Sequence, residues 1–122
     1  MKELLLVSIG SFFGGGLRYL VSKVVSTLVA TALPLPTLIV NVVGCFLIGL
    51  LSGMSLANNI SPTTKLLLTT GFCGGFTTFS TFMNENLLLA RGSQLPLSFG
   101  YTILSIILGL AALMLGYKVT NA

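Results

Sequence analysis

The chain has almost no acidic residues, and it contains no histidine and no aspartate. Its 122 residues include two carboxylates, Glu3 and Glu85, against six lysines and arginines, for a net charge of +4. Charged residues make up 7% of the chain and hydrophobic residues 54%, whereas a soluble domain carries roughly a quarter charged residues. This balance excludes an ordinary soluble protein and predicts a membrane protein. The basic residues are scattered rather than clustered on a polar face, so we expect no binding to nucleic acid.

The missing side chains also argue against an enzyme. Because the chain has no His or Asp, no serine or cysteine has a base within reach by sequence spacing, as nucleophilic catalysis requires. The two cysteines, Cys45 and Cys73, lie in apolar stretches and lack the neighbours and spacing of a metal site or a disulfide pair. We interpret both as small packing residues.

Four apolar stretches are each close to the roughly 20 residues that cross a bilayer. They cover residues 4–22, 37–57, 65–90 and 96–117. We expect the first to be a retained transmembrane helix rather than a cleaved signal peptide. The sequence thus predicts an all-α membrane protein, with residues 1–122 forming a single domain of four transmembrane helices.

The connections between these stretches carry their own signals. Residues 23–36 are less apolar and end in Pro34-Leu35-Pro36, which should end any helix. Residues 58–62 form a turn, after which Ser61 or Thr63 is expected to cap the third helix. Residues 91–94 form a short loop before the fourth helix.

The third stretch contains a polar interruption at its centre. Residues 71–82 read Gly-Phe-Cys-Gly-Gly-Phe-Thr-Thr-Phe-Ser-Thr-Phe, with three glycines and four hydroxyls where water is scarce. An unpaired polar group costs several kcal/mol in hydrocarbon, so irregular backbone at membrane depth is tolerated only where it is buried in protein or lines a cavity. We therefore expect a helix that is broken at Gly74-Gly75 in mid-membrane, around an ion.

The polar side chains of the spans indicate which ion. Nearly all of them can donate a hydrogen bond, which favours an anion, because a cation pathway would more naturally use acidic groups. Phe79 and Phe82 lie on one helical face, and the positive edges of their rings could contact a small anion, although plain packing is the alternative for such a pair. Separately, the carbonyl groups freed at the break predict a site for a cation such as Na⁺, with the carbonyls of Gly74 and Thr77 the best placed.

Small residues and charges predict an assembly of two copies. Glycine, alanine and serine recur at four-residue spacing, as in Gly10/Gly14 and Gly71/Gly75, which lets helix backbones approach closely within one subunit or between two. Four spans would place three basic residues on each side of the membrane. Orientation normally follows an excess of Lys and Arg on one side. The balance predicts insertion in both orientations, and hence an antiparallel dimer with a two-fold axis in the membrane plane.

Three motifs resemble those of the Fluc (CrcB) family of bacterial fluoride channels. Residues 14–19 look like its glycine-rich first-helix motif ending in Arg-Tyr. Residues 37–49 resemble its second-helix pattern, Thr-Leu-x-Val-Asn-x-x-Gly, and residues 71–82 followed by Glu85 are similar to its third-helix signature. Pro36 stands where the family usually has glycine, and Gly109 where some relatives have a hydroxyl.

The resemblance implies a dual-topology, antiparallel homodimer in the bacterial plasma membrane, in contact with lipid, that passively exports fluoride and so protects against its toxicity. It implies two pores along the subunit interface. The implied fluoride pathway comprises Asn41, Phe79, Phe82, Ser80, Tyr101, Ser105, Arg18 and Glu85. Gly74 and Thr77 would supply carbonyls to a structural Na⁺ at the dimer centre. Some relatives work as two different chains, so a heterodimer with a related subunit stays open.

Two other kinds of membrane protein compete with this interpretation. A small multidrug exporter would also be a short, four-span dimer, but it needs a membrane-embedded carboxylate in its first helix, and Glu3 lies at the edge of that span. A structural or assembly subunit would explain the glycines, but it would not explain the clustered hydroxyls or the phenylalanine pair.

Overall fold

The computed structural model describes residues 1–31 and 33–121, and within these ranges the chain is helical with no strand. Its elements are α1 (Lys2–Leu28), α2 (Leu35–Leu56), α3 (Pro62–Lys65), the wide π-type helix π1 (Leu66–Cys73), α4 (Gly74–Phe76), α5 (Ser80–Arg91) and α6 (Leu95–Asn121). The elements α3, π1 and α4 follow one another without a gap, and residues 77–79 separate them from α5. We call residues 62–91 the broken segment. The all-α prediction is confirmed.

Within the described ranges, three helices are long and apolar enough to cross a membrane, as judged by length and composition: α1, α2 and α6. Most apolar side chains of α1 and α6 are exposed in the single chain, whereas most of those of α2 are at least partly buried. Exposed apolar side chains suit helices that face hydrocarbon or another subunit. The broken segment lies beside these three helices, and together they make this a multi-pass membrane protein.

The predicted helix ends differ from the observed ones in three places. Helix α1 continues past Ser22 to Leu28, because residues 23–28 contain no helix breaker. Helix α2 begins at Leu35, inside the proline pair, since Pro36 lies in the first turn, where its missing N–H is not needed. Helix α6 runs beyond Tyr117 and places Lys118 in its last turn, where a positive charge suits the helix dipole.

The start of the broken segment agrees with the sequence. The Ser61 hydroxyl accepts a hydrogen bond of 3.1 Å from the backbone N–H of Thr64, which satisfies one of the free donors at a helix N-terminus. The prediction that Ser61 or Thr63 caps this helix is therefore confirmed, with Ser61 as the cap.

The position of the break was predicted wrongly. Gly74 and Gly75 are helical, and the chain leaves the helix at Thr77, whose backbone is extended with φ −87° and ψ 161°. Gly75 is required for a different reason, because a Cβ there would lie 2.7 Å from the carbonyl oxygen of Ser11 on α1. Gly75 therefore allows close packing against α1, and the break follows two residues later in the chain.

Glycines also bring the long helices together within one chain. A Cβ added at Gly14 on α1 would collide with the carbonyl oxygen of Phe72 on π1. A Cβ at Gly49 on α2 would collide with the carbonyl oxygen of Leu113 on α6, and one at Gly116 with that of Phe46. Packing inside one subunit therefore accounts for these small residues.

A buried apolar cluster lies where α2, α5 and α6 meet. Its members are Leu38, Phe82, Leu89 and Tyr101. Cys73 is fully buried elsewhere, and the sulfur of Cys45 lies 3.3 Å from the position of a Cβ at Gly109. Both cysteines are free, as the interpretation of them as packing residues requires.

Candidate functional site

Asn41 on α2 holds the backbone of the break. Its Oδ1 accepts a hydrogen bond of 2.9 Å from the N–H of Thr78, and its Nδ2 donates one of 3.0 Å to the carbonyl oxygen of the same residue. Gly44, one turn along α2, leaves room for Thr77, because a Cβ there would collide with the Thr77 methyl group. One amide thus replaces hydrogen bonds that a continuous helix would make, which keeps the break open at membrane depth.

Arg18 on α1 supports the other side of the break. Its Nε donates a hydrogen bond of 3.0 Å to the carbonyl oxygen of Gly75, close to the C-terminal end of α4. A positive charge there interacts favourably with the free carbonyls of a helix end. Arg18 is partly buried, and among the described residues neither carboxylate forms an ion pair with it.

The two phenylalanines border an open cavity of about 350 Å³, which we call the phenylalanine cavity. Its polar and aromatic lining consists of Asn41, Thr77, Thr78, Phe79, Phe82 and Ser105. The ring centres of Phe79 and Phe82 lie 6.2 Å apart at an interplanar angle of 47°. Phe82 is 9% exposed, whereas Phe79 is 72% exposed, so the pair leads from the core of the chain to its surface.

Ser105 supplies an unused hydrogen-bonding group to this cavity. Its hydroxyl oxygen is buried, and no partner lies within hydrogen-bond distance among the described residues. A buried hydroxyl without a partner costs about 1–3 kcal/mol. This hydroxyl lines a cavity that contains an amide, two threonines and two aromatic rings but no carboxylate.

Glu85 lies beyond Phe82, where two hydroxyls hold its carboxylate. Thr37 Oγ1 donates to Glu85 Oε2 and the Tyr101 hydroxyl donates to Glu85 Oε1, each at 2.9 Å. Tyr101 is fully buried, and its ring centre lies 5.0 Å from that of Phe82. Glu85 also lines a second cavity of about 470 Å³, which we call the glutamate cavity. Phe82, Tyr101 and Glu85 therefore lie in contact with one another between the two cavities.

A second polar cluster lies one residue further along α5. Asn86 Oδ1 accepts hydrogen bonds from Ser98 Oγ at 2.7 Å and from Thr102 Oγ1 at 3.0 Å. Its Nδ2 donates to the carbonyl oxygen of Phe82 at 3.0 Å. This cluster ties α5 to α6 beside the path from Phe82 to Glu85.

The carbonyl groups expected to bind a cation are both at the break. Within residues 1–31 and 33–121, no donor forms a hydrogen bond with the carbonyl oxygen of Gly74 or with that of Thr77. The N–H that a continuous helix would offer to Gly74, that of Thr78, is bonded to Asn41 instead. Two free carbonyl oxygens three residues apart fit the oxygen ligands that a hard cation prefers.

The eight side chains predicted for the pathway fall into three groups. Asn41, Phe79, Phe82 and Ser105 line the phenylalanine cavity. Tyr101 and Glu85 are joined by a hydrogen bond beside it. Arg18 and Ser80 line neither cavity in the single chain; Ser80 is exposed next to Phe79.

Most of the chain matches a known protein family. Residues 5–117 match the family described as CrcB-like protein, Camphor Resistance (CrcB). The chain belongs to the CrcB family. It is 42% identical to a protein of Azobacteroides pseudotrichonymphae over 99% of this chain and 98% of the relative. It is 43% identical to a protein of Flavobacterium psychrophilum, over 95% of this chain and 94% of the relative. It is 46% identical to a protein of Prosthecochloris aestuarii, over 94% of this chain and 90% of the relative. All three are named fluoride-specific ion channel FluC.

In this CrcB chain, sequence reasoning missed several residues of the site. Thr37 stands one helical turn before Asn41 and so lies on the same face of α2, but its contact with Glu85 was not expected. Ser98 and Asn86 were not noted at all. The spacing of polar residues in α6 could have revealed Ser98. The i, i+3, i+4, i+7 pattern of one helix face is followed by Ser98, Tyr101, Thr102 and Ser105.

Proposed function

We propose that this chain is a subunit of a fluoride-selective channel, which lets fluoride leave the cytoplasm of a bacterium passively and so protects the cell from its toxicity. Membership of the CrcB family and the names of its relatives, fluoride-specific ion channels, support the substrate. The observation that carries the proposal is the buried, unpartnered hydroxyl of Ser105 in the phenylalanine cavity. A hydroxyl without a partner, in a cavity lined by other polar groups and two aromatic rings and by no carboxylate, is suited to a small anion.

The chemistry of fluoride fits this lining. Fluoride is small and tightly hydrated, so a selective pore must replace its water with close donors. Hydroxyls, an amide and the positive edges of aromatic rings can do this without a cationic cage. Conduction requires binding strong enough for the ion to enter and weak enough for it to leave. Phe82 would pass the ion towards Tyr101, and Glu85, which keeps the hydroxyls of Thr37 and Tyr101 in place, would mark the far end.

A second, antiparallel copy completes the proposed pathway in the plasma membrane. The break between α4 and α5 carries polar groups, and the surface around it is exposed in the single chain, at Gly74, Phe79 and Ser80. At membrane depth such a surface must be covered by protein or line a cavity. A second copy would cover it and form two pores along the interface. Arg18, near the break, would attract anions to the pore mouth.

The free carbonyl groups support a structural Na⁺ in this dimer. In the described residues no cluster of His, Cys, Asp or Glu side chains could hold a metal, whereas the carbonyl oxygens of Gly74 and Thr77 lack donors. Two copies meeting at the break would contribute four such oxygens. A cation held there would neutralise the converging carbonyl dipoles and hold the two broken segments together.

The exporter alternative has no support from the position of Glu3. This carboxylate is 77% exposed in the first turn of α1, and it lies 3.7 Å from the chain's own amino group. A carboxylate at the end of a helix is poorly placed for proton exchange at membrane depth.

The test of the proposal is a flux measurement in liposomes. The purified protein is reconstituted in vesicles loaded with potassium fluoride, and efflux is followed with a fluoride electrode after valinomycin is added. A parallel set is loaded with potassium chloride. We expect fast fluoride release with little chloride release. Equal release of both ions would contradict selectivity, and no release from a well-folded protein would contradict the homodimer and point to a second chain.

A further inference from the structure

Asn86 makes three contacts that the proposed pathway does not use. Its oxygen accepts from the hydroxyls of Ser98 and Thr102, and its nitrogen donates to the carbonyl oxygen of Phe82. We call Asn86, Ser98 and Thr102 the amide clamp. Ser98 is buried and the other two are partly buried, so little water competes for these hydrogen bonds.

The amide of the clamp has a fixed orientation. A hydroxyl can donate or accept, so Ser98 and Thr102 alone would permit the amide to be reversed. The carbonyl oxygen of Phe82 is an acceptor only, and a reversed amide would set two oxygens against each other. The three contacts together therefore fix the Asn86 side chain, and with it the angle at which α5 presents its neighbours to α6.

The clamp and the pathway share one face of α6. Ser98, Tyr101 and Thr102 are spaced i, i+3, i+4, so they lie side by side on that face. Glu85 contacts the middle member, Tyr101, and Asn86 contacts the two hydroxyls that flank it. A rotation of α5 that separates Glu85 from Tyr101 must also break the clamp.

We propose that Asn86 is a positioning residue of the ion pathway. Through Ser98 and Thr102 it sets the rotation of α5 against α6, and so it holds Glu85 and the Phe82 ring against Tyr101. The clamp lines neither cavity and does not touch the ion. The inference rests on the proposed function, because a change in fluoride flux is informative only if the protein conducts fluoride. The arrangement of the side chains can be tested without measuring flux.

The first test compares two substitutions of one residue. Thr102→Val keeps the shape of the side chain and removes its hydroxyl, whereas Thr102→Ser keeps the hydroxyl. We expect Thr102→Val to lower the rate of fluoride efflux by about fivefold, which corresponds to one ordinary hydrogen bond, and Ser98→Ala/Thr102→Val to lower it by about tenfold or more. Thr102→Ser should stay within about twofold of wild type. Each variant is first checked for an unchanged elution volume and helical circular dichroism.

The second test reads the position of Phe82 directly. 4-Fluorophenylalanine is incorporated at position 82, and its ¹⁹F NMR signal is recorded in detergent for the wild type and for each clamp variant. We expect a shifted or broadened signal in Thr102→Val and in the double variant, and the wild-type signal in Thr102→Ser.

The outcomes separate the clamp from the proposed function. Wild-type efflux together with an unchanged ¹⁹F signal in the double variant would overturn the clamp, and so would a Thr102→Ser variant as impaired as Thr102→Val. A wild-type protein that releases no fluoride, while its ¹⁹F signal still responds to the loss of the hydroxyls, would overturn the proposed function and leave the clamp standing.

Discussion

At the scale of single residues, two buried hydroxyls stand out because they have no partner within the described part of the chain: those of Ser105 and Thr69. Their surroundings differ. Ser105 lines the phenylalanine cavity, whereas Thr69 on π1 lines neither the phenylalanine cavity nor the glutamate cavity. A hydroxyl that is kept at a cost in stability, and that lies beside the phenylalanine pair, is best explained by a ligand that it binds in transit.

Ser105→Ala should therefore separate function from stability. Removing an unpaired buried hydroxyl should raise the free energy of unfolding by about 1–3 kcal/mol, while fluoride efflux falls because a donor is lost from the pathway. Thr69→Val is the matched control, with the same gain in stability and wild-type efflux. Thermal unfolding in detergent and electrode-monitored efflux measure the two quantities. A Ser105→Ala variant with wild-type efflux would remove Ser105 from the pathway.

At the scale of elements, the sequence predicts the helices of the broken segment and the presence of a break, but not the position of the break. The apolar runs predict the helices, because a run of about 20 apolar residues leaves few alternatives in a membrane. The glycines at 74 and 75 favoured a break there, but both are helical, and Gly75 serves the contact with α1 instead. The break is set by Asn41, which lies on another helix, and no local pattern in the broken segment reveals that partner.

Asn41→Leu should destabilise the break itself. It leaves the N–H and the carbonyl group of Thr78 unpaired, at a cost of about 1–3 kcal/mol for each group. The expected result is a lower unfolding temperature and faster amide exchange at Thr78. Cys45→Ala is the control, since Cys45 lines the same cavity without bonding the backbone of the break. Unchanged amide protection at Thr78 in Asn41→Leu would show that other contacts hold the break.

The packing of α1 on the broken segment depends on Gly14. Gly14→Ala would push a methyl group into the carbonyl oxygen of Phe72, and overpacking of this kind costs about 1–3 kcal/mol. Gly16→Ala, two residues further on the same helix, meets no atom within 4 Å and should be neutral or stabilising by up to about 1 kcal/mol. Thermal unfolding of both variants decides the matter, and equal stabilities would contradict the close approach of α1 to π1.

At the scale of the whole molecule, hydropathy and sequence motifs could predict the helices and the family, but not the contacts between the elements. The four apolar runs predicted the three long helices and the broken segment, and the motifs predicted the CrcB family. The contacts between elements, such as that of Thr37 with Glu85 and that of Asn86 with Ser98, could not be predicted, because they join residues far apart in sequence. The antiparallel assembly stays a prediction from three basic residues on each predicted side.

The balanced charges predict insertion in both orientations. A cysteine-reactive, membrane-impermeant reagent applied to intact cells should label about half of the copies that carry a cysteine added at the C-terminus, because no excess of Lys or Arg favours one side. A variant with two further lysines beside Lys118 should shift the labelling strongly. Labelling of all wild-type copies, or of none, would contradict dual insertion and with it the antiparallel dimer.

The most direct test of fluoride selectivity is the reversal potential of the channel current in a planar bilayer. One side holds potassium fluoride and the other an equal concentration of potassium chloride, so that potassium contributes no driving force. A fluoride-selective channel predicts a reversal potential far from zero, of the sign that marks fluoride as the permeant ion. A reversal potential near zero, from a channel that passes both anions or potassium, would contradict the account.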